Sequence, residues 1–144
     1  MGSIKNLKHI RVTPLRQIET TGGNVFHAMK STDPGYQGFG EAYFSWIGQS
    51  AVKAWKRHLY MTMNLIVPVG RVRFVFAEKV DGTLRQEIIG PDHYARLTVP
   101  PDIWFGFQGL ASNSLVLNLA SLVHDPNEVE RLPVSSFNYQ WDEI

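Results

Sequence analysis

Hydrophobic and polar positions alternate along this chain in short runs, and glycine or proline interrupts the runs at close intervals. Lys8 to Glu19 carries His9, Ile10, Val12, Leu15 and Ile18, which predicts an edge strand broken at Pro14. Thr20 to Asn24 reads as a turn, Val25 to Lys30 as a short strand, and the glycine-rich stretch Ser31 to Gly40 as a loop. Glu41 to Ile47 alternates and is rich in strand-forming residues. Beyond the central stretch, Arg71 to Ala77 sets Val72, Phe74 and Phe76 on one face against Arg71 and Arg73 on the other. Asp81-Gly82 predicts a hairpin turn, with Leu84 to Ile89 returning. Tyr94 to Val99, Ile103 to Phe107 and Ser114 to Val123 complete the strands, the last as a buried one. A polar segment, His124 to Val134, follows, with one helical turn at Asn127 to Leu132, and then Phe137 to Trp141. Short strands with this punctuation predict an all-β sandwich or barrel, a single β-barrel domain over residues 1–144.

Lys53 to Gly70 organises the rest. Alternate side chains of a strand share a face. Read as continuous strand, Ala54, Lys56, His58, Tyr60, Thr62 and Asn64 have one parity, and Trp55, Arg57, Leu59, Met61, Met63 and Leu65 the other. One face then carries an ammonium, an imidazole, a phenol, a hydroxyl and an amide in series. That content predicts the wall of a polar pocket with His58 as its reactive member.

Composition narrows the function. Hydrophobic residues at 44% and charged residues at 19% belong to a globular chain, and a net charge of +1 argues against a nucleic-acid binder. The absence of cysteine excludes disulfides, thiol catalysis and thiolate metal sites, and it fits a cytoplasmic location. No run approaches the roughly 18 apolar residues of a membrane span, and the first ten residues lack the apolar core of a signal peptide. No nucleic acid or membrane partner is expected.

Four segments, spread over Gly23 to Trp141, resemble the dTDP-4-dehydrorhamnose 3,5-epimerase family, whose fold is a cupin jelly-roll barrel and which includes nucleotide-sugar ketoisomerases. Trp55-Lys56-Arg57-His58-Leu59-Tyr60 is similar to that family's Arg-Gly-Leu-His-Tyr/Phe-Gln, and Pro68-Val69-Gly70-Arg71-Val72 to the turn that follows. Val99-Pro100-Pro101-Asp102-Ile103-Trp104-Phe105-Gly106-Phe107 is similar to Ile-Pro-Pro-Gly-Phe-Ala-His-Gly-Phe. Asp125-Pro126-Asn127-Glu128-Val129-Glu130-Arg131 is similar to Ser-Pro-Glu-His-Glu-Arg. Many cupins hold a metal through a His-x-His pair, a Glu and a further His. The corresponding positions here are Lys56, His58, Met63 and Phe105, leaving one ligand, so neither a metal nor another cofactor is expected.

The resemblance implies that His58 removes a proton from a 4-keto-6-deoxy nucleotide sugar in a deoxysugar or polysaccharide route, and that the protein is a homodimer. The family's lysine falls near Met63 or Asn64, its tyrosine acid falls at Asn118, and its carboxylate partner for the histidine falls beyond the end of this chain. Lys56 is therefore assigned to the developing oxyanion, and Tyr60 to returning a proton. Trp55, Arg57, Asn64, Arg73, Trp104, Asn118 and Glu41 are the candidate substrate contacts, with Arg71, Arg96, Tyr43 and Phe105 as further cations and ring walls. A plain structural reading stands beside each: a hydrogen-bonding histidine, a lysine reaching for water, a half-buried packing tyrosine, a solvated pair Arg71 and Arg73, core aromatics, and an Asp125 that caps the backbone after it. Alternative functions are a nucleotide-sugar 3,4-ketoisomerase, whose relatives use a His-x-His pair, and a non-catalytic cupin that binds a sugar nucleotide.

Overall fold

The structure, a computed structural model, describes residues 7–142. Its strands are β1 (Arg11–Pro14), β2 (Gln17–Ile18), β3 (Val25–Phe26), β4 (Glu41–Gly48), β5 (Val52–His58), β6 (Met63–Val69), β7 (Val72–Ala77), β8 (Leu84–Ile89), β9 (Ala95–Val99), β10 (Trp104–Gly109), β11 (Asn113–Ala120) and β12 (Val129–Arg131). Three single turns of 3-10 helix, Leu7–His9, Pro126–Glu128 and Val134–Ser136, are the helical content among the described residues. Two five-stranded sheets, β1-β9-β6-β11-β4 and β12-β5-β10-β7-β8, face one another, and β2 pairs with β3 apart from them. All the named pairings are antiparallel. From β4 onward the chain crosses from one sheet to the other at nearly every step, which is how the jelly roll expected from the sequence closes over its interior.

Two corrections follow for the central stretch. It is two strands, β5 and β6, in opposite sheets, with a bend over residues 59–62 between them. A single alternation therefore cannot run from Ala54 to Asn64. Alternation also fails within β5. Trp104, Phe105, Gly106 and Phe107 pair with Arg57, Lys56, Ala54 and Lys53, so Trp55 is an extra residue with no opposite number. Gly106 allows the close approach there, since a Cβ on it would lie 2.5 Å from the Ala54 Cβ. The extra residue reverses the phase of the strand. Trp55 turns outward, while Lys53, which stays exposed, and Lys56, three apart in sequence, both turn to the side that faces the other sheet.

Inner faces make the main core: Met63, Leu65 and Val67 of β6, Val72, Phe74 and Phe76 of β7, and Ala95, Leu97 and Val99 of β9. A second cluster forms on the outer side of the other sheet, where Trp55, Val75, Ala77 and Trp104 lie under Phe137, with Tyr139 and Trp141 packed against them. The polar end of the chain is thus a strap. Trp55 donates through its backbone N–H to the Leu132 carbonyl at 3.0 Å and through its indole to the Val134 carbonyl at 3.1 Å. The helical turn expected at Asn127 to Leu132 is shorter, Pro126–Glu128, and runs directly into β12. Asp125 caps it as expected, accepting from the Asn127 N–H at 2.9 Å. Only Val25–Phe26 of the strand expected at Val25 to Lys30 forms, and Phe137 to Trp141 is an irregular packing segment.

Because Trp55 is 1% exposed and joins strap to sheet, Trp55→Ala is expected to cost about 3–5 kcal/mol. That loss lowers the melting midpoint by roughly 10 °C. Trp55→Phe, which gives up mainly the indole hydrogen bond, is expected to cost about 1 kcal/mol. Paired thermal or urea unfolding curves check both.

Candidate active site

A cavity of about 440 Å³ opens between the sheets, within the range of small-molecule sites. Tyr43 and Ser45 of β4, Met63 and Leu65 of β6, and Val116 and Asn118 of β11 form one wall. Lys53, Ala54 and Lys56 of β5, Phe105 and Phe107 of β10, and Arg131 of β12 form the other, with Trp55 and Leu132 at its edge. Lys53, Lys56 and Arg131 are its cations. Arg131 lies opposite Lys56 in the β12–β5 pairing. None of the three forms an ion pair with a carboxylate among the described residues; Lys53 donates to the Trp46 carbonyl at 2.9 Å. Burial, then the charges of Arg131 and Lys53, hold the Lys56 amine below its ordinary value.

His58 lies on the same face of β5 as Lys56 but is not among the residues that line the cavity. It is 4% exposed, and its ring stacks on Phe105, a cavity residue, at a centroid distance of 6.1 Å. Its Nδ1 bonds Oε1 of Glu128, which is equally buried. The other carboxylate oxygen accepts from the backbone N–H groups of Tyr60 at 3.1 Å and Met61 at 3.2 Å. Burial pushes the Glu128 carboxyl up, but these N–H donors and the imidazole outweigh it and hold it below the usual carboxylate value. An ionised carboxylate only accepts, so Nδ1 carries the proton and Nε2 keeps its lone pair. Burial pushes the imidazole below its ordinary value against the opposing pull of Glu128, and Lys56 adds to the lowering. Nε2 itself is buried and has no hydrogen-bond partner. A buried acceptor left in that state costs about 1–3 kcal/mol unless a ligand completes it.

The other residues singled out in the sequence are dispersed. Asn118 lines the cavity, donating from Nδ2 to the Tyr43 hydroxyl at 3.0 Å. Tyr60 stands in the bend at 71% exposure, outside the cavity, because its strand has already ended. Arg57 points outward, where it pairs with Glu130 and covers the Trp104 ring at 4.9 Å. Trp55 and Trp104 belong to the outer cluster. Arg73 pairs with Asp142 at 2.7 Å and Gln108 at 3.3 Å. Asn64 faces away from the cavity, donating to the Gly35 carbonyl at 3.1 Å and accepting from Thr98. Glu41 accepts from the His124 N–H at 2.8 Å, far from any role beside His58. Arg96 is fully buried, with its guanidinium on the carbonyls of Ala28 at 2.7 Å and Pro34 at 3.0 Å. Burial lowers its proton affinity.

Three residues of this site escaped the sequence reading: Glu128, Lys53 and Arg131. The carboxylate expected beyond the chain's end lies within it, in the Asp125 to Arg131 segment already aligned with the family. No spacing in the sequence marks it, because Glu128 reaches His58 only through the pairing of β12 with β5. Among the described residues no group of three or more His, Cys, Asp or Glu is placed to hold a metal ion, and no helix is long and apolar enough to cross a membrane.

The chain is 36% identical to a dTDP sugar isomerase from Desulfovibrio desulfuricans, with a TM-score of 0.86 over 93% of this chain and 91% of that one. A dTDP-4-dehydrorhamnose 3,5-epimerase from Sulfolobus tokodaii superposes with a TM-score of 0.80 at 18% identity, over 94% of this chain and 84% of that one. QdtA, a sugar 3,4-ketoisomerase from Thermoanaerobacterium thermosaccharolyticum in complex with TDP, gives 0.76 at 16% identity over 92% and 95%. The last two similarities carry the fold alone. No protein-family model matches the sequence, and no curated protein does.

The lowered values of His58 and Glu128 act on stability in the same direction. Each group binds protons more readily in the unfolded chain, so both contributions are lost on acidification. The His58 share starts to go as pH falls through about 6.5 and the Glu128 share as it falls through the carboxylate range. Nitrogen-detected NMR is expected to show His58 neutral and protonated at Nδ1 at pH 6.5, and melting midpoints are expected to fall below that pH. In Lys56→Met the His58 titration moves upward. A His58 that is cationic at pH 6.5 contradicts this account.

Proposed function

From the premise that the chain belongs to the family of dTDP-sugar isomerases and epimerases, and is an enzyme of the isomerase class, we propose that it epimerises a 4-keto-6-deoxy nucleotide sugar. A ketone makes the neighbouring C–H acidic because the carbanion is an enolate. Chemistry at that carbon needs a base for the proton and a cation or donor for the oxygen. The observation that carries the reading is His58, held by Glu128 through Nδ1 with Nε2 buried and unpartnered. Nε2 takes the proton once the Phe105 ring gives way to substrate. Lys56, on the same strand face and lining the cavity, offsets the charge growing on the enolate oxygen. Lys53 and Arg131, at the same wall, receive the diphosphate.

The product supplies a deoxysugar for surface polysaccharide or another glycosylated product. The reaction as written uses no metal and no other cofactor, and the cysteine-free sequence suits the cytoplasm. The relative at 36% identity is an isomerase, which supports a second reading: the same base on the same substrate class, with the proton returned to the neighbouring carbon as in a 3,4-ketoisomerisation.

The protein acts as a homodimer. Phe44 and Trp46, on the outward face of edge strand β4, are 63% and 56% exposed. They lie across from Leu117 and Leu115 of β11, and Leu115 lies across from Val69 of β6. An apolar face continuous over three strands and reaching a sheet edge favours burial against a second copy.

TDP-4-keto-6-deoxyglucose incubated with the protein in deuterium oxide is expected to gain deuterium next to the ketone, read by proton NMR. His58→Asn is expected to slow this at least 10²-fold. Lys53→Met and Arg131→Met are each expected to weaken TDP binding about tenfold, with little effect on exchange at saturation. A wild-type protein that exchanges no proton with TDP, CDP, GDP or UDP forms of the sugar refutes the reading. Sedimentation is expected to give a dimer mass, and Trp46→Glu a monomer; a wild-type monomer at micromolar concentration refutes the assembly.

A further inference from the structure

We propose that Tyr43 is the proton donor that completes inversion, acting from the wall opposite His58 with Asn118 as its positioning residue. This deepens the reading just given and rests on it.

Inversion at carbon requires the proton to leave one face of the sugar ring and return to the other. With His58 on the sheet that contains β5, the donor has to project from the sheet that contains β4, β6 and β11. Of the six cavity residues there, Met63, Leu65 and Val116 have no acidic proton, and an Asn118 amide is far too weak an acid. Ser45 carries an alcohol, a much weaker acid than a phenol, whose ordinary pKa is about 10. Tyr43 alone on that wall offers a proton of suitable acidity. It is 38% exposed and lines the cavity, so the group is accessible both to a ligand and to water.

Hydrogen bonding fixes how the phenol is used. Oδ1 of Asn118 accepts from the backbone N–H of Asn64 at 3.2 Å, a bond only the amide oxygen can make. The amide is thereby oriented with Nδ2 toward Tyr43, and Nδ2 donates to the phenol oxygen at 3.0 Å. The phenol is the acceptor in that bond, so its own proton is not consumed by it. No residue among those described accepts that proton. Asn118 also favours the phenolate left after transfer, since an amide N–H bonds an anionic oxygen more strongly than a neutral one. The cross-strand pairing of Tyr43 with Asn118 holds the two side chains on one face of the sheet.

The step balances without any further reactant. Nε2 of His58 takes the proton from the carbon beside the ketone, and the C–H electron pair becomes the enolate. The enolate carbon then takes the Tyr43 hydroxyl proton on its opposite face, and the ketone reforms. Imidazolium loses a proton to water and phenolate gains one, which resets both residues.

The test uses Tyr43→Phe and Asn118→Asp, with TDP-4-keto-6-deoxyglucose in deuterium oxide, against the wild type. Tyr43→Phe is expected to keep deuterium exchange into recovered substrate and TDP affinity within about threefold. Formation of the inverted product is expected to fall at least 10²-fold. Asn118→Asp, whose carboxylate captures the phenol proton, is expected to show the same split above the pH at which that carboxylate ionises and to recover as it is protonated. Inverted product formed by Tyr43→Phe at the wild-type rate overturns the proposal. So does a parallel loss of exchange and product, which makes the phenol part of proton removal or binding. If the wild type exchanges but never inverts, the donor role fails while His58 stands as base. If the wild type exchanges nothing, the function and this proposal fall together.

Discussion

The Glu128 carboxylate ties together three segments that would otherwise have little reason to meet. It ends the 3-10 turn directly before β12, it accepts the two N–H groups of the bend at Tyr60 and Met61, and it holds the imidazole at the end of β5. The Leu59 N–H also donates to its backbone carbonyl at 2.8 Å. The bend is where the chain leaves one sheet for the other, so the geometry of that crossing and the tautomer of the histidine have one cause. Burying a carboxylate is unfavourable unless its lone pairs are used. Three N–H donors use them here, and that is why a charged group can lie at the hinge of an apolar barrel. The structural role and the chemical one are inseparable at this residue, because the hydrogen bonds that make burial tolerable also leave Nε2 basic.

The unmatched residue in β5 decides what the cavity contains. An unbroken alternation would put Lys53 outside whenever Lys56 is inside. With Trp55 unpaired, both lysines line the cavity, and Arg131 joins them at its wall through its pairing with Lys56. The Trp55 indole, turned outward where Lys56 and His58 turn inward, needs cover, and Phe137, Tyr139 and Trp141 supply it. The strap covers the outer surface of the same strand whose register shift brings Lys53 to the cavity side. Arg57 and Trp104 then stack on the outside, where they serve packing and not the cavity.

Much of the barrel was legible because its strands alternate and its turns carry glycine, proline or Asp-Gly at the breaks. The inner face of β7, the edge position of β1 and the cap at Asp125 followed from those local rules. The site was legible only where local rules reach. His58 and Lys56 share a face as alternation predicts, but Tyr60 and Asn64 do not continue it, since the strand ends at His58 and a bend intervenes. Arg57 looked like a phosphate contact and Trp55 and Trp104 like stacking rings by their chemistry, but Trp55 and Arg57 lie on the face opposite Lys56 and His58, and Trp104, which pairs with Arg57, lies there with them. Glu128 lies 70 positions from His58, and a pairing at that separation comes from topology, which residue spacing alone does not encode. Asn64, Arg73 and Glu41 carry the right chemistry and spend it on Thr98, Asp142 and the His124 backbone.

Burial and charge together keep a neutral histidine beside cations. Burial first, and then the Lys56 charge, disfavour a proton on His58 in the empty site, while Lys53 and Arg131 add to the positive potential of the cavity wall. In the proposed reaction the same potential would draw a diphosphate, whose negative charge offsets the cations once bound. Offsetting them removes part of the repulsion that weakens the imidazole as a base. In the proposed reaction His58 would therefore become more basic as the substrate arrives, by an amount set by the charge the substrate brings. Lys56 moves with it, regaining proton affinity where an enolate oxygen needs a cation. An unliganded barrel of this kind holds its base neutral and unpartnered, and the anionic end of the substrate supplies the strengthening at the moment of use. On this account the diphosphate contributes to the chemistry through its charge, so a neutral sugar lacking it would be a poorer substrate for reasons beyond lost affinity.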